Sequence, residues 1–101
     1  MKTKILFVGE CRSLTAKRRG WRWQDGRLAA VPLFEALRAM GVDPAAHEFC
    51  NLWTDPPLAP TVTAHRKRML RERAADGDTI VVALGQRVSA GLQELAIDHV
   101  A

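Results

Sequence analysis

Cysteine is scarce: Cys11 and Cys50 are the only two in this 101-residue chain. Two thiols cannot complete a structural zinc site or an iron–sulfur cluster without other residue types. The histidines, His47, His65 and His99, fall on three separate segments with no ligand spacing. No metal and no cofactor is expected. Long hydrophobic runs are missing too, and nothing approaches the roughly 18–20 apolar residues needed to cross a bilayer. Met1-Lys2-Thr3-Lys4 leads into only four strongly apolar residues, Ile5, Leu6, Phe7 and Val8, whereas a secretory core needs about 7–15. These absences predict a cytoplasmic protein with reduced cysteines and no membrane partner. Gly9-Glu10-Cys11-Arg12-Ser13 lacks both the Gly-Lys-Ser/Thr ending of a phosphate loop and a GxGxxG spacing. There is no internal repeat and no low-complexity tract. Apolar residues nevertheless make up 48% of the chain, enough burial to offset ordering entropy and exclude a disordered chain. The length allows one domain, residues 1–101, around one core.

Three segments read as strands. Residues 5–8 are continuously apolar and end in Gly9, and residues 79–84 are longer, rich in β-branched side chains, and end in Gly85. Residues 47–53 are mixed, and residues 97–100 offer a short fourth strand. Runs that are apolar on both faces suit a parallel sheet covered by helices on both sides. Between them, Val31, Phe34, Leu37 and Met40 recur at three-residue steps before Gly41, with Pro32 placing the helix start near Val31. A second helix is predicted over residues 61–75, with a thin stripe of Val62, Met69 and Leu70. A third carries Val88, Leu92 and Leu95 on one face. The alternation predicts a three-layer α/β/α fold, Rossmann-like, with a small parallel sheet of three or four strands. Residues 5–8 and 79–84 are its expected adjacent, buried strands. Residues 10–26 and 54–60 read as irregular, and the first of these loops follows the carboxyl end of a strand, where open α/β sheets bind ligands.

Charge is unevenly placed. Of 15 basic residues, six are Arg12, Lys17, Arg18, Arg19, Arg22 and Arg27, and five are Arg66, Lys67, Arg68, Arg71 and Arg73. Each cluster holds a single acid, Asp25 in the first and Glu72 in the second. Such density points to a polyanion partner better than net charge does. The first cluster also carries Trp21 and Trp23. Interleaved cations and rings are what a nucleic-acid strand needs, with charges on phosphates and rings stacked on bases. The second cluster reads first as a solvated helix face, and the loop is the better candidate. Arg12, Lys17, Arg18, Arg19 and Arg22 are therefore the candidate phosphate contacts. Glu10 is placed to accept a hydrogen bond from a ligand. Asn51 offers one acceptor and a donor pair that read a base edge. Cys11 has no His or Asn arrangement beside it and reads as an inert thiol.

Several of these residues resemble the uracil-DNA glycosylase superfamily, in particular its small bacterial and phage members. Phe7-Val8-Gly9-Glu10 is similar to the opening Gly-Glu motif, and Trp21-x-Trp23-x-Asp25-Gly26-Arg27-Leu28-Ala29-Ala30, followed by Leu33-Phe34-Glu35-Ala36-Leu37, to the loop and helix that come next. Phe49-x-Asn51-Leu52 resembles the strand whose Asn contacts the flipped base, and Val81-Val82-Ala83-Leu84-Gly85 the third strand. The resemblance implies Glu10 and Asn51 as catalytic residues, and Gly9, Trp23, Phe49 and Asn51 as the base-binding set. It also implies a nucleic-acid partner, DNA before RNA, extruded into a pocket. The chain departs from the family where Cys11-Arg12-Ser13 follows the Gly-Glu pair. It reaches Ala101 about where the family's His-Pro-Ser or His-Pro-Ala loop begins, and His99, with no proline after it, does not take that histidine's role. The expectation is a shortened or minimal glycosylase-like domain that holds a base with weak or lost excision. The alternative is a non-catalytic nucleic-acid- or nucleotide-binding module.

Overall fold

The computed structural model describes residues 4–101. Met1, Lys2 and Thr3, which open the segment weighed above as a leader, lie outside them. The elements run β1 (Lys4–Gly9), α1 (Leu14–Arg19), α2 (Ala30–Ala39), β2 (Glu48–Asn51), α3 (Ala64–Ala75), β3 (Thr79–Ala83) and α4 (Gln86–Glu94). The sheet has the order β2-β1-β3 and is parallel throughout, with Phe7 opposite Phe49 and Leu6 opposite Val81. The small parallel α/β fold expected from the alternation is present, with β1 and β3 adjacent. The fourth strand is reduced to one parallel bridge, Val82 to Val100, whose two hydrogen bonds of 2.8 Å cover part of the outer edge of β3. Among the described residues no helix is long and apolar enough to cross a membrane.

The pleat sends alternate side chains of β1 to two different cores. Leu6 and Val8 join Cys50, Val81 and Ala83 in an aliphatic layer closed by Leu70 of α3 and by Val88 and Leu92 of α4. Phe7 goes to the opposite face, where it stacks on Phe49 at 4.9 Å, and Phe34 of α2 tilts against Phe49 at 5.2 Å. One face of the sheet is thus aliphatic and the other aromatic. The aromatic face leads to the loop after β1.

Three expectations are corrected. First, Val31 and Met40 do not face the sheet, being 42% and 71% exposed, while Ala30 is buried beside Phe34 and Leu37. Steps of three residues drift by about 60° per step on a helix of 3.6 residues per turn, so the ends of the stripe leave the core. Gly41 does close α2: its φ is 78°, and the Val42 N–H donates to the Leu37 carbonyl at 2.8 Å, the reverse turn that αL glycine permits. Second, α3 starts at Ala64 because Thr63 caps it, its hydroxyl accepting from the Arg66 N–H at 3.1 Å. Third, residues 10–26 are not one irregular loop. Ser13 caps α1 by accepting from the Ala16 N–H, and Gly20, at φ 70°, ends it; a short 3-10 turn, Trp23–Asp25, follows and ends at Gly26.

Leu70 is fully buried and is the buried anchor of an otherwise polar α3. Leu70→Ala is expected to destabilise the fold by about 2–5 kcal/mol, whereas Met40→Ala should stay within about 0.5 kcal/mol. Urea unfolding of both variants measures this. Comparable losses would restore Met40 to the core.

Candidate functional site

The two stretches without regular strand or helix in the sequence brace each other. The Arg12 N–H donates to Asp55 Oδ1 at 2.7 Å, and Arg12 Nε donates to Asp55 Oδ2 at 2.8 Å. Lys17 Nζ, reaching from α1, donates to the Pro56 carbonyl at 2.9 Å. Burial pushes the Asp55 carboxyl up, but the two Arg12 hydrogen bonds and the Arg12 and Lys17 charges outweigh it and hold it below the ordinary carboxylate value. The brace fixes α1 beside the carboxyl ends of β1 and β2.

Between the braced loops and the first turn of α3 lies an open cleft of about 580 Å³. Its basic lining residues are Arg12, Lys17, Arg22 and Arg66, and its only acid is Asp55, already engaged by Arg12. Trp23, Phe49, Asn51 and Trp53 line it as well. A smaller cavity of about 200 Å³ lies on the other side of Trp23, with Trp21, Leu28 and Ala30 in its lining. Trp23, Asn51, Arg12 and Arg22 border both spaces.

The four residues of the base-binding set do come together, but around one another. Trp23 stacks on Phe49 at 5.8 Å, and its Nε1–H donates to Asn51 Oδ1 at 2.8 Å. Indole nitrogen only donates, which fixes the amide with its oxygen toward Trp23 and leaves its two N–H donors for a ligand. Gly9 lies directly beneath: a Cβ there would meet Trp23 Cζ2 at 2.7 Å and Asn51 Oδ1 at 2.8 Å. Glycine is required here by close approach, not by backbone angle.

The remaining candidates separate. Glu10 is exposed, lines neither cavity, and its carboxylate lies 3.6 Å from Arg87 of α4. Asn51 lines both cavities. The pair implied as catalytic therefore does not share a cavity. Arg18 and Arg19 are exposed on α1 outside the cleft, with Arg19 instead over the Trp21 ring at 5.6 Å, as is Arg27. Cys11 is raised above the ordinary thiol value by burial and by the charges of Asp55 and Glu10, against Arg87. Burial likewise raises Cys50, against a smaller opposing pull from Arg66. Neither is an activated thiolate. His47 accepts the Ile5 N–H at 3.1 Å. Among the described residues no three His, Cys, Asp or Glu side chains gather to hold an ion.

Two cleft residues escape sequence reasoning. Arg66 belongs to the cluster read as a solvated face, yet it lies one turn into α3, beside Cys50, and lines the cleft. Lys67, Arg68 and Arg71 lie on a separate outer groove of α3. Trp53 ends the mixed strand segment, where the ladder continues through its N–H to the Glu10 carbonyl at 3.0 Å. Its ring is covered on one side by the Arg87 guanidinium at 5.6 Å.

Comparisons with protein-family models, with curated proteins and with solved structures find no match to this chain. The glycosylase resemblance stands on the residues quoted for it.

Two measurements check the site. Gly9→Ala should push the indole off its seat, costing about 1–3 kcal/mol and shifting tryptophan emission to the red; that shift should be missing in Gly9→Ala with Trp23→Phe. An unshifted Gly9→Ala spectrum would contradict the close contact. Because the Asp55 carboxyl is held low in the folded state, its contribution is full above the ordinary carboxylate range and is lost as pH falls through its folded value. Asp55→Asn should therefore melt below the wild type at neutral pH, with the gap closing in acid. A gap that persists at low pH would assign the loss to packing.

Proposed function

We propose that the chain binds a nucleic-acid strand, with DNA the first choice, in the cleft between α1 and α3, and that it does so without excising bases. The observation that carries this is the lining itself: three cations that form no salt bridge among the described residues, Lys17, Arg22 and Arg66, stand beside Trp23, Phe49 and Trp53. Like charges gathered this way repel one another and are relieved by a polyanion. Phe49 is stacked between Phe7 and Trp23, so the bases would stack on Trp23 and Trp53, at about 1–3 kcal/mol for each. Asn51 offers its N–H donors to base carbonyl oxygens, since its own oxygen holds Trp23.

The separate engagements of the Glu10 and Asn51 side chains, which line no common cavity, favour the binding module over the enzyme. Release of a base as an anion needs charge stabilisation at the leaving group together with a positioned water, and losing one such electrostatic partner costs about 10²–10³ in rate. Glu10 is directed to Arg87, and Asn51 to Trp23.

Binding of a fluorescent oligothymidylate, followed against salt, tests the proposal. Three phosphate contacts predict a slope of log K against log salt of about −2, at about −0.7 for each contact with a single strand. Arg22→Ala with Arg66→Ala should leave a slope of about −0.7, while Arg18→Ala with Arg19→Ala should change it little. The same strand carrying uracil should bind equally and release none. No affinity at low salt would overturn the proposal, and uracil release abolished by Asn51→Ala would restore the enzyme.

A further inference from the structure

We propose that Ser89 and His99 form a nucleophile and general-base pair that cleaves small acyl esters, at a site separate from the cleft. Ser89 Oγ lies 2.7 Å from His99 Nε2, and His99 Nδ1 lies 2.8 Å from the Ile97 carbonyl oxygen. A carbonyl oxygen only accepts, so Nδ1 carries the proton of the neutral ring and Nε2 is left to accept from the Ser89 hydroxyl. This is the tautomer a base needs to activate a serine. The nucleophile is within hydrogen-bond reach of the base, and a third group orients the base, which is the arrangement of an activated nucleophile.

Both partners are held by buried neighbours. Ser89 follows Val88 on α4, and Val88 and Leu92 are fully buried. After α4 the chain reverses through Ala96, at φ 55°, and the Ile97 N–H donates to the Leu92 carbonyl at 3.0 Å. Ile97 is 3% exposed, so the carbonyl that orients the ring is itself fixed. Ser89 borders an open cavity of about 310 Å³, with Gly85 and Gln86 also in its lining. That space admits a small ester, and the strand-binding cleft makes no use of it. The first-turn N–H groups of a helix have no intrahelical partner, and Gln86 opens that turn of α4 beside the serine.

In the reaction, Ser89 Oγ bonds to the ester carbonyl carbon as its proton passes to His99 Nε2. The tetrahedral oxyanion then collapses, the carbon–oxygen bond to the alcohol breaks, and Nε2 returns the proton to the departing alkoxide. Water, giving a proton to the same nitrogen, next cleaves the acyl-serine; the carboxylic acid leaves and the hydroxyl is restored.

A fluorophosphonate reports the first step alone, because the Oγ–phosphorus bond forms as fluoride leaves and the proton is lost through His99 to solvent. Intact-mass measurement and peptide mapping should find one adduct, on Ser89, and none in Ser89→Ala. His99→Gln keeps an amide able to bond both Ser89 and the Ile97 carbonyl but cannot take a proton. Its labelling should slow by about 100-fold or more, as expected for loss of a general base, with its melting temperature little changed. An unlabelled wild type, an adduct elsewhere, or unchanged labelling in His99→Gln would overturn the proposal and leave the pair as a structural pin between α4 and the segment after it.

Discussion

The contact of the Trp23 ring and the Asn51 amide over Gly9 is the constraint on which the ligand face of this molecule depends. Only a hydrogen in place of a side chain lets the indole lie 2.7 Å from where a Cβ would be, and the same vacancy admits Asn51 Oδ1. Once seated, Trp23 continues an aromatic series begun by Phe7 and Phe49 on one face of the sheet. Each such ring pair contributes about 0.5–1.5 kcal/mol beyond its buried area, and the indole hydrogen bond adds about 1 kcal/mol. These terms bind the 3-10 turn to the sheet. Because that turn carries Arg22 at its start, the seat of Trp23 also sets where the cleft cation stands.

The charges are ordered by a different device. Asp55 engages Arg12 through both backbone and side chain, and Lys17 reaches the next carbonyl, so α1 is tied to the loop after β2 although none of its six residues is buried. Basic side chains are then left facing the cleft with little acid to neutralise them. Such a site is costly in an isolated protein and favourable against phosphate. Its rings and its cations line one cleft, which separates it from the outer groove of α3, where Lys67, Arg68 and Arg71 are accompanied by Glu72 and no ring.

β1 and β3 were legible because their runs are apolar on both faces and are closed by Gly9 and Gly85, and the layering followed from the alternation of strands with helices. α1 escaped notice because Leu-Thr-Ala-Lys-Arg-Arg has no apolar stripe; its only local marks are Ser13 at one end and Gly20 at the other. Val31 and Met40 look like core residues in a three-step count, and only the packed sheet shows that Ala30 replaces them. Gly9, Trp23, Phe49 and Asn51 were each nameable, but their mutual saturation depends on a bond between residues 28 apart. Arg66 was invisible for a related reason. A basic helix presents cations on all sides, and which one meets the cleft is decided by the cap at Thr63 and by the approach of β2, neither of which periodicity encodes.

The central claim, a strand lying between α1 and α3 over the aromatic wall, is tested most directly by photocrosslinking. An oligonucleotide carrying 5-bromodeoxyuridine, irradiated with the whole chain and mapped by mass spectrometry, should attach to Trp53 or Trp23. Adducts confined to the outer groove of α3 at Lys67, Arg68 or Arg71, or the absence of any adduct at low salt, would contradict it.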